Sequence, residues 1–367
     1  MRATLYVVDD PVLLNNGIFF NESFYGMKNS AFMFETLRQQ LKRFGIELAT
    51  QDIHPPEQAD LVISVDQTLP FQQAAWRAKH QYLVISEPST YFPHNWDKAY
   101  HTVFDKVFTY DRRLIDNQRY FHYNFAIDLT ENQYFYPTDD AEYARRKLCV
   151  LVAASFGVSA PPKGSNSLLN ERYKTLQWFS QHHPDEFDFY SRGVAANELE
   201  SVRGARVLRK VLPKALFTAL GRWRKRTFDR VYRGPLAADG KIQALRNYRF
   251  NIAYENTKDL SGYLTEKLFD SFVACCVPVY WGDPDVEKAI PPNCFIDRRN
   301  FASTAALYQH LRHMSADQYR VHTDAITRFV TGGLQEAEFG SAANAWRIAH
   351  PILQDLGRHP SSTVASG

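Results

Sequence analysis

YRFNIAYENTKDLSGYLTEKLFDSFVACCVPVYWGDPDVEKAIPPNCFIDRRNF, residues 248–301, decides the fold. Two short apolar runs, residues 250–254 and 277–281, have the length and flanks of buried strands. Between them residues 265–275 read as a helix, with Leu268, Phe269, Phe272 and Val273 on one face and Thr265 near its start. A strand–loop–helix–strand unit of this kind builds a parallel sheet. Its polar content is unusual. Glu255 and Asn256 sit where the first strand ends, and Tyr263, Glu266 and Lys267 where the helix begins. Ligands of open parallel sheets bind outside the carboxyl ends of the strands, and helix N-termini favour anions. A lysine in the first turn opposes the helix dipole. A bound phosphate would account for it.

The blocks YRFNIAYEN, GYLTEKLFDSF, VPVYWGDP and IPPNCFIDRRNF resemble the signature of the family 10 glycosyltransferases, the α1,3/1,4-fucosyltransferases, in order and in spacing. Tyr254 stands where that family usually has Phe, and Leu264 where it has Val. The resemblance implies an α/β protein of the GT-B type, with two Rossmann-like domains facing each other across a cleft. It implies a GDP-fucose donor held mainly by the second domain, inversion at the anomeric carbon by base-assisted direct displacement, and no required metal or other cofactor. The donor-binding set carried over is Arg172, Tyr248, Glu255, Asn256, Tyr263, Thr265, Glu266 and Lys267. Asn256 is read as a donor contact, and for Glu255 capping of the loop is an equal alternative. Glu266 is also a catalytic candidate, as a carboxylate near the positively charged transition state.

Ahead of this stretch, short strand candidates at residues 3–8, 46–50, 61–65, 82–86 and 106–109 alternate with helical segments, the clearest at 29–44. That pattern argues for an α/β domain over residues 1–140, the expected acceptor side. No glycine-rich dinucleotide fingerprint follows the first strand. The stretch LVISEPSTY, residues 83–91, runs a hydrophobic strand straight into Glu87 and Pro88. In the family a Glu in such a context is the proposed general base, so Glu87 takes that role; a surface Glu opening a turn is the plainer reading. Tyr91 and Trp96, in the aromatic run YFPHNW, offer flat faces for an acceptor sugar. The run serves a packed loop equally well.

The second domain is expected over residues 141–335, starting with a buried strand at 147–155 and a helix at 168–182. Asn170-Glu171-Arg172 matches the family's N-x-R near that helix start, where the Arg contacts the donor diphosphate; a guanidinium fork suits phosphate oxygens. Residues 187–193 read as a strand entering a glycine turn. Residues 203–233 then hold eleven Lys or Arg against one acidic residue, Asp229, although the whole chain carries only +3. The remainder is therefore net acidic. This basic amphipathic insertion fits attraction to an anionic membrane surface or a lipid-linked acceptor, or else a packed helical hairpin. No nucleic-acid reading motif accompanies it. After residue 301 one long helical region is expected at 303–329. A last helix at 342–356, within a 336–367 segment, crosses back to the first domain by analogy with GT-B transferases.

The four cysteines, Cys149, Cys275, Cys276 and Cys294, fall in apolar segments without metal-ligand or disulfide-framework spacing, and read as buried free thiols. Asp283 and Asp285 form a D-x-D, but Pro284 between them favours a structural turn over a metal site. Residues 1–10 show neither a signal peptide nor an apolar span. The expectation is thus a cytoplasmic enzyme, free or peripheral on the inner membrane face, that moves L-fucose to a hydroxyl of a bacterial surface glycan. The α1,3 linkage and lipopolysaccharide synthesis are expected with it. Two other readings stay open: a transferase of the same fold using another GDP-sugar, and a non-catalytic membrane-associated relative.

Overall fold

The fold is built on two separate parallel sheets, and the chain visits them in an order that the sequence alone does not announce. The structure, a computed structural model, describes residues 1–20, 23–24, 27–28, 32–66, 79–89, 92–129, 139–153, 166–192, 210–213, 215–216, 228–237 and 240–358. One unit comprises Met1–Thr130, Ser261–Tyr263 and Gly333–Gly367; the other comprises Glu131–Leu260 and Leu264–Gly332.

The strands of the first unit are β1 (Arg2–Tyr6), a small antiparallel hairpin of β2 (Ser23–Phe24) and β3 (Met27–Lys28), then β4 (Glu47–Thr50), β5 (Leu61–Val65), β6 (His80–Ile85), β7 (Lys106–Thr109) and β8 (Tyr120–His122). Six of them form an all-parallel sheet in the order β4-β1-β5-β6-β7-β8. Residues 61–63 and 82–85 are buried without alternation, as expected of strands covered on both faces. The helix Phe32–Arg43 buries Met33, Phe34, Leu37 and Leu41 along one side. Against it packs the last helix, Ser341–Asp355, whose Ala345, Ile348, Ile352 and Leu353 are buried in the same core as Leu5 and Leu37. Lys106 in β7 reaches the carboxylate of Asp355 and the carbonyl of Pro351, and the Tyr82 hydroxyl donates to Asp355 at 3.1 Å. β8 is absent from the sequence reading. Three residues are too few to show a period, and the strand is set up by Asp116, whose carboxylate accepts the amides of Gln118, Arg119 and Tyr120.

The second sheet contains β9 (Lys147–Ala153), β10 (Phe187–Ser191), β11 (Tyr248–Tyr254), β12 (Val277–Trp281) and β13 (Ile296–Asp297), all parallel, in the order β10-β9-β11-β12-β13. The helix Glu266–Val273 connects β11 to β12 and buries Leu268, Phe269, Phe272 and Val273. The helical region expected at 303–329 is two helices, Thr304–His313 and Ala316–Thr331. Met314, in extended conformation, ends the first, and Ser315 opens the second with a capping box to Gln318 that satisfies orphan donors of a new helix start. All four cysteines are free and buried. Most of the basic segment 203–233 lies outside the described residues. Among the described residues no helix is long and apolar enough to cross a membrane.

Candidate active site

In the second unit the chain leaves β11 and closes on itself within ten residues. Glu255 is fully buried. Its amide donates to the Trp281 carbonyl at 2.8 Å, which ties the ends of β11 and β12 together. One carboxylate oxygen accepts the Thr265 amide at 2.9 Å and the other accepts the Thr265 hydroxyl at 2.7 Å. Thr265 is the N-cap residue of the helix Glu266–Val273, yet its side chain makes no capping bond. The hydroxyl that would serve the helix is turned to Glu255 instead, and the first-turn amides keep their outward polarity.

Lys267 lies over this junction. Its ammonium is 3.5 Å from the Glu255 carboxylate and 3.2 Å from that of Glu266, and it donates to the Thr265 hydroxyl oxygen at 3.1 Å. Burial works against ionisation of Glu266, but Lys267 and Lys241 outweigh it and hold the carboxyl down at about 2. Burial dominates at Glu255 and pushes its carboxyl up, with Lys267 opposing. Lys241, on the helix Gly240–Leu245, pairs with Asp270 at 2.5 Å. Burial disfavours its charge, and Asp270 and Glu266 more than restore it. The start of this helix therefore holds two cations and three carboxylates in one network.

Arg172, on the helix Leu169–His182, is buried and reaches the same strand end. Nε and Nη2 donate to the Tyr254 carbonyl at 3.0 and 2.6 Å, and Nη2 donates to Asn256 Oδ1 at 2.9 Å. Fixing that oxygen sets the direction of the Asn256 amide nitrogen. Gly282, just past β12, leaves room for Glu255: a Cβ there would come within 2.5 Å of Glu255 Cγ and of the Tyr280 hydroxyl.

Sequence reasoning named Arg172, Glu255, Asn256, Thr265, Glu266 and Lys267, and these six meet at the carboxyl end of β11. Tyr248 does not join them. It opens the strand, roughly 20 Å from Glu255, and its hydroxyl donates to Asp188 at 2.6 Å. Tyr263 belongs to the first unit, buried with its ring 5.1 Å from Tyr110 and 5.7 Å from Phe125. Gly262 before it has φ +88°, and a Cβ there would lie 2.1 Å from the Tyr110 carbonyl oxygen. Asp283 accepts the Asp285 amide at 2.8 Å and Asp285 pairs with Lys288 at 3.1 Å, so both carboxylates serve the turn. Among the described residues no group of three or more His, Cys, Asp or Glu side chains is arranged to hold a metal ion.

In the first unit Glu87 follows β6, half-buried, at the carboxyl end of the parallel sheet. Its carbonyl accepts the Trp96 indole N–H at 3.1 Å and its amide donates to Asp66 at 3.1 Å. Tyr91 lies outside the described residues. Lys241, Asp270, Asp66 and Asn95 were not named from sequence; each is a lone polar residue whose partners are far along the chain, so no local spacing signals them.

Residues 217–323 match the family model for glycosyltransferase family 10 (fucosyltransferase), C-terminal part. The chain is 28% identical over 169 residues to the α-(1,3)-fucosyltransferase FucT of Helicobacter pylori, covering 42% of this chain and 33% of that one. It is 35% identical over 71 residues to α-(1,3)-fucosyltransferase C of Drosophila melanogaster, covering 19% and 16%. It thus spans a third or less of the curated relatives it matches. Its fold is like that of a crystal structure of an α1,3-fucosyltransferase with GDP, TM-score 0.52, 14% identical, covering 98% of this chain and 91% of that one. It is equally like a glycosyltransferase from Rickettsia africae, TM-score 0.53, 10% identical, covering 98% and 99%. These likenesses show a glycosyltransferase fold of the GT-B type. The motif blocks gathered at one strand end fall inside the family match, so residues 217–323 carry the likeness to the C-terminal part of glycosyltransferase family 10 (fucosyltransferase).

Proposed function

We propose that the chain transfers L-fucose from GDP-fucose to a hydroxyl group of a glycan, with inversion. The observation that carries this is the helix start at Thr265, whose capping hydroxyl is committed to Glu255 while Lys267 stands beside it. A helix N-terminus with a cation in its first turn suits the diphosphate of a nucleotide sugar. Lys267 and the first-turn amides stabilise the negative charge that builds on the leaving diphosphate. Arg172 acts through Asn256, because two of its nitrogens are already bonded at the strand end. Glu266, ionised down to about pH 2, is a carboxylate available to sugar hydroxyls or to the positive charge of the transition state.

In the reaction the acceptor oxygen forms a bond to the anomeric carbon of fucose as the bond from that carbon to the diphosphate oxygen breaks. The electron pair leaves with GDP, and the acceptor proton passes to Glu87. The fucosyltransferase relatives support the donor sugar and the α1,3 linkage. A role in bacterial surface polysaccharide or lipopolysaccharide synthesis, and attachment to an anionic membrane face through residues 203–233, belong to the same reading.

Calorimetric titration with GDP-fucose, GDP-mannose and UDP-galactose, with and without chelator, tests the donor. Preferential, chelator-insensitive binding of GDP-fucose is expected. Preference for another nucleotide sugar moves the chain to a different donor on the same fold, and absence of binding to all three removes the transferase reading. Sedimentation with anionic and neutral vesicles tests the basic segment, with binding to the anionic set alone expected.

A further inference from the structure

Glu87 is held by a carboxylate from the neighbouring strand. Asp66 follows β5 with φ +57°, the left-handed region that Asp tolerates better than most residues. Its backbone is fixed on both sides: the amide donates to the Val84 carbonyl at 2.8 Å, and its own carbonyl accepts the Ser64 hydroxyl at 2.9 Å. The side chain is buried. Oδ1 accepts the Ser86 amide at 2.9 Å, the Glu87 amide at 3.1 Å and the Asn95 side-chain amide; Oδ2 accepts the Ser86 hydroxyl. Asn95 is itself anchored, its carbonyl bonded to His101 Nε2 at 2.8 Å, and His101 Nδ1 meets the Tyr120 hydroxyl at 3.0 Å.

All four donors to Asp66 are neutral. Burying a carboxylate among neutral donors is costly, and burial accordingly raises its pKa. Local capping alone would be served by a serine or an asparagine without a buried charge. What the charge adds is a strong acceptor for two consecutive amides at a sheet end, where Pro88 supplies no donor of its own and β6 has run out of neighbours.

We propose that Asp66 is a positioning residue for Glu87: by gathering the amides of residues 86 and 87 and the Asn95 side chain onto one buried carboxylate, it fixes the direction from which Glu87 meets the acceptor hydroxyl. The proposal rests on the reading of Glu87 as the base. Asp66 touches no reacting atom, and its effect appears in turnover and leaves donor affinity alone.

The test compares Asp66→Gly, Asp66→Asn, Ser86→Ala, Glu87→Gln and the Asp66→Asn/Glu87→Gln double variant in the full chain. Readouts are kcat, GDP-fucose Kd by calorimetry, and circular dichroism. Gly keeps the left-handed backbone and deletes the acceptor, so kcat should fall about 100-fold, the scale of a misplaced catalytic group, with Kd unchanged. Asn, retaining one oxygen, should fall between Gly and wild type. Ser86→Ala, which removes a single donor, should lower kcat about five-fold, and it carries the test if the Asp66 variants do not fold. The double variant should be no slower than Glu87→Gln alone, because Asp66 acts only through Glu87. Folded Asp66 variants with wild-type kcat, a full additional loss in the double variant, or a parallel loss of donor affinity overturn the proposal. If the Asp66 variants do not fold, wild-type kcat in Ser86→Ala overturns it. Full activity of Glu87→Gln overturns the base reading itself, whatever Asp66 does.

Discussion

Glu255 and Thr265 are joined twice, by amide and by hydroxyl, at 2.9 and 2.7 Å, and this pair closes the loop between a strand and the helix that follows it. The bond geometry makes Glu255 an internal brace for the helix start. The capping alternative left open by its sequence position accounts for both of its carboxylate oxygens.

Removing that brace leaves a buried amide and hydroxyl without partners. Glu255→Ala is expected to lose about 3 kcal/mol of stability, and Thr265→Val about 1 kcal/mol. Urea denaturation followed by fluorescence measures both. Equal stability of Glu255→Ala and wild type would show that the loop does not depend on this pair.

Lys267 faces two carboxylates and the helix start. Lys267→Ala should weaken GDP binding by on the order of 10- to 100-fold, the range of a lost charge-assisted bond. The remaining affinity should depend less on salt. Calorimetry at two ionic strengths reads both quantities, and unchanged affinity would take the phosphate role away from Lys267.

The depressed Glu266 carboxyl gives a pH signature with a fixed sign. Its folded value, about 2, lies below the 4.5 of an ordinary glutamate side chain. The folded state thus binds this proton more weakly than the unfolded one. The stability contribution is complete above pH 4.5 and disappears as pH falls towards 2. Its size is at most about 3 kcal/mol. Glu266→Gln should flatten the acid limb of the stability curve across that window; an unaltered limb would mean that Lys241 and Lys267 do not act on this carboxyl. Glu142 is held down at about 2 as well, by Arg145 and Arg146, so the informative quantity is the difference between variant and wild type.

Gly282 is required by proximity, with no demand on its backbone angles. Gly282→Ala places a methyl group against Glu255 and Tyr280 and should cost about 1–3 kcal/mol. It should also weaken GDP binding, because the displaced carboxylate is the one that holds Thr265. A variant that loses stability but binds GDP normally would separate the brace from the donor site.

Where local pattern and final environment agreed, the sequence was sufficient. Val277–Trp281 and Lys106–Thr109 form with the residues their apolar runs indicate, and Leu268, Phe269, Phe272 and Val273 face inward. The six polar residues around the end of β11 were legible because they lie at the ends of elements within a recognisable motif. Tyr248 was misleading, since a motif block carries no sign of which end of a strand faces a ligand. Asp66 and Lys241 were invisible for a different reason. Each acts on residues more than twenty positions away, Asp66 on Glu87 and Lys241 on Asp270, through contacts that exist only after the sheet or helix has formed. The break at Met314 was legible in principle, as Ser315-Ala-Asp-Gln318 is a capping box inside an otherwise helical run.

The final helix gives the first unit an unusual order of completion. Its core contains Leu5 and Leu37 from the beginning of the chain and Ile348, Ile352 and Leu353 from near its end. During synthesis a ribosome will have released nearly all of the second sheet's residues before the first sheet can close its apolar face. Vectorial folding, in which the domain made first is finished first, is therefore reversed here: the segments that carry Leu5 and Leu37 wait for one translated after the second sheet.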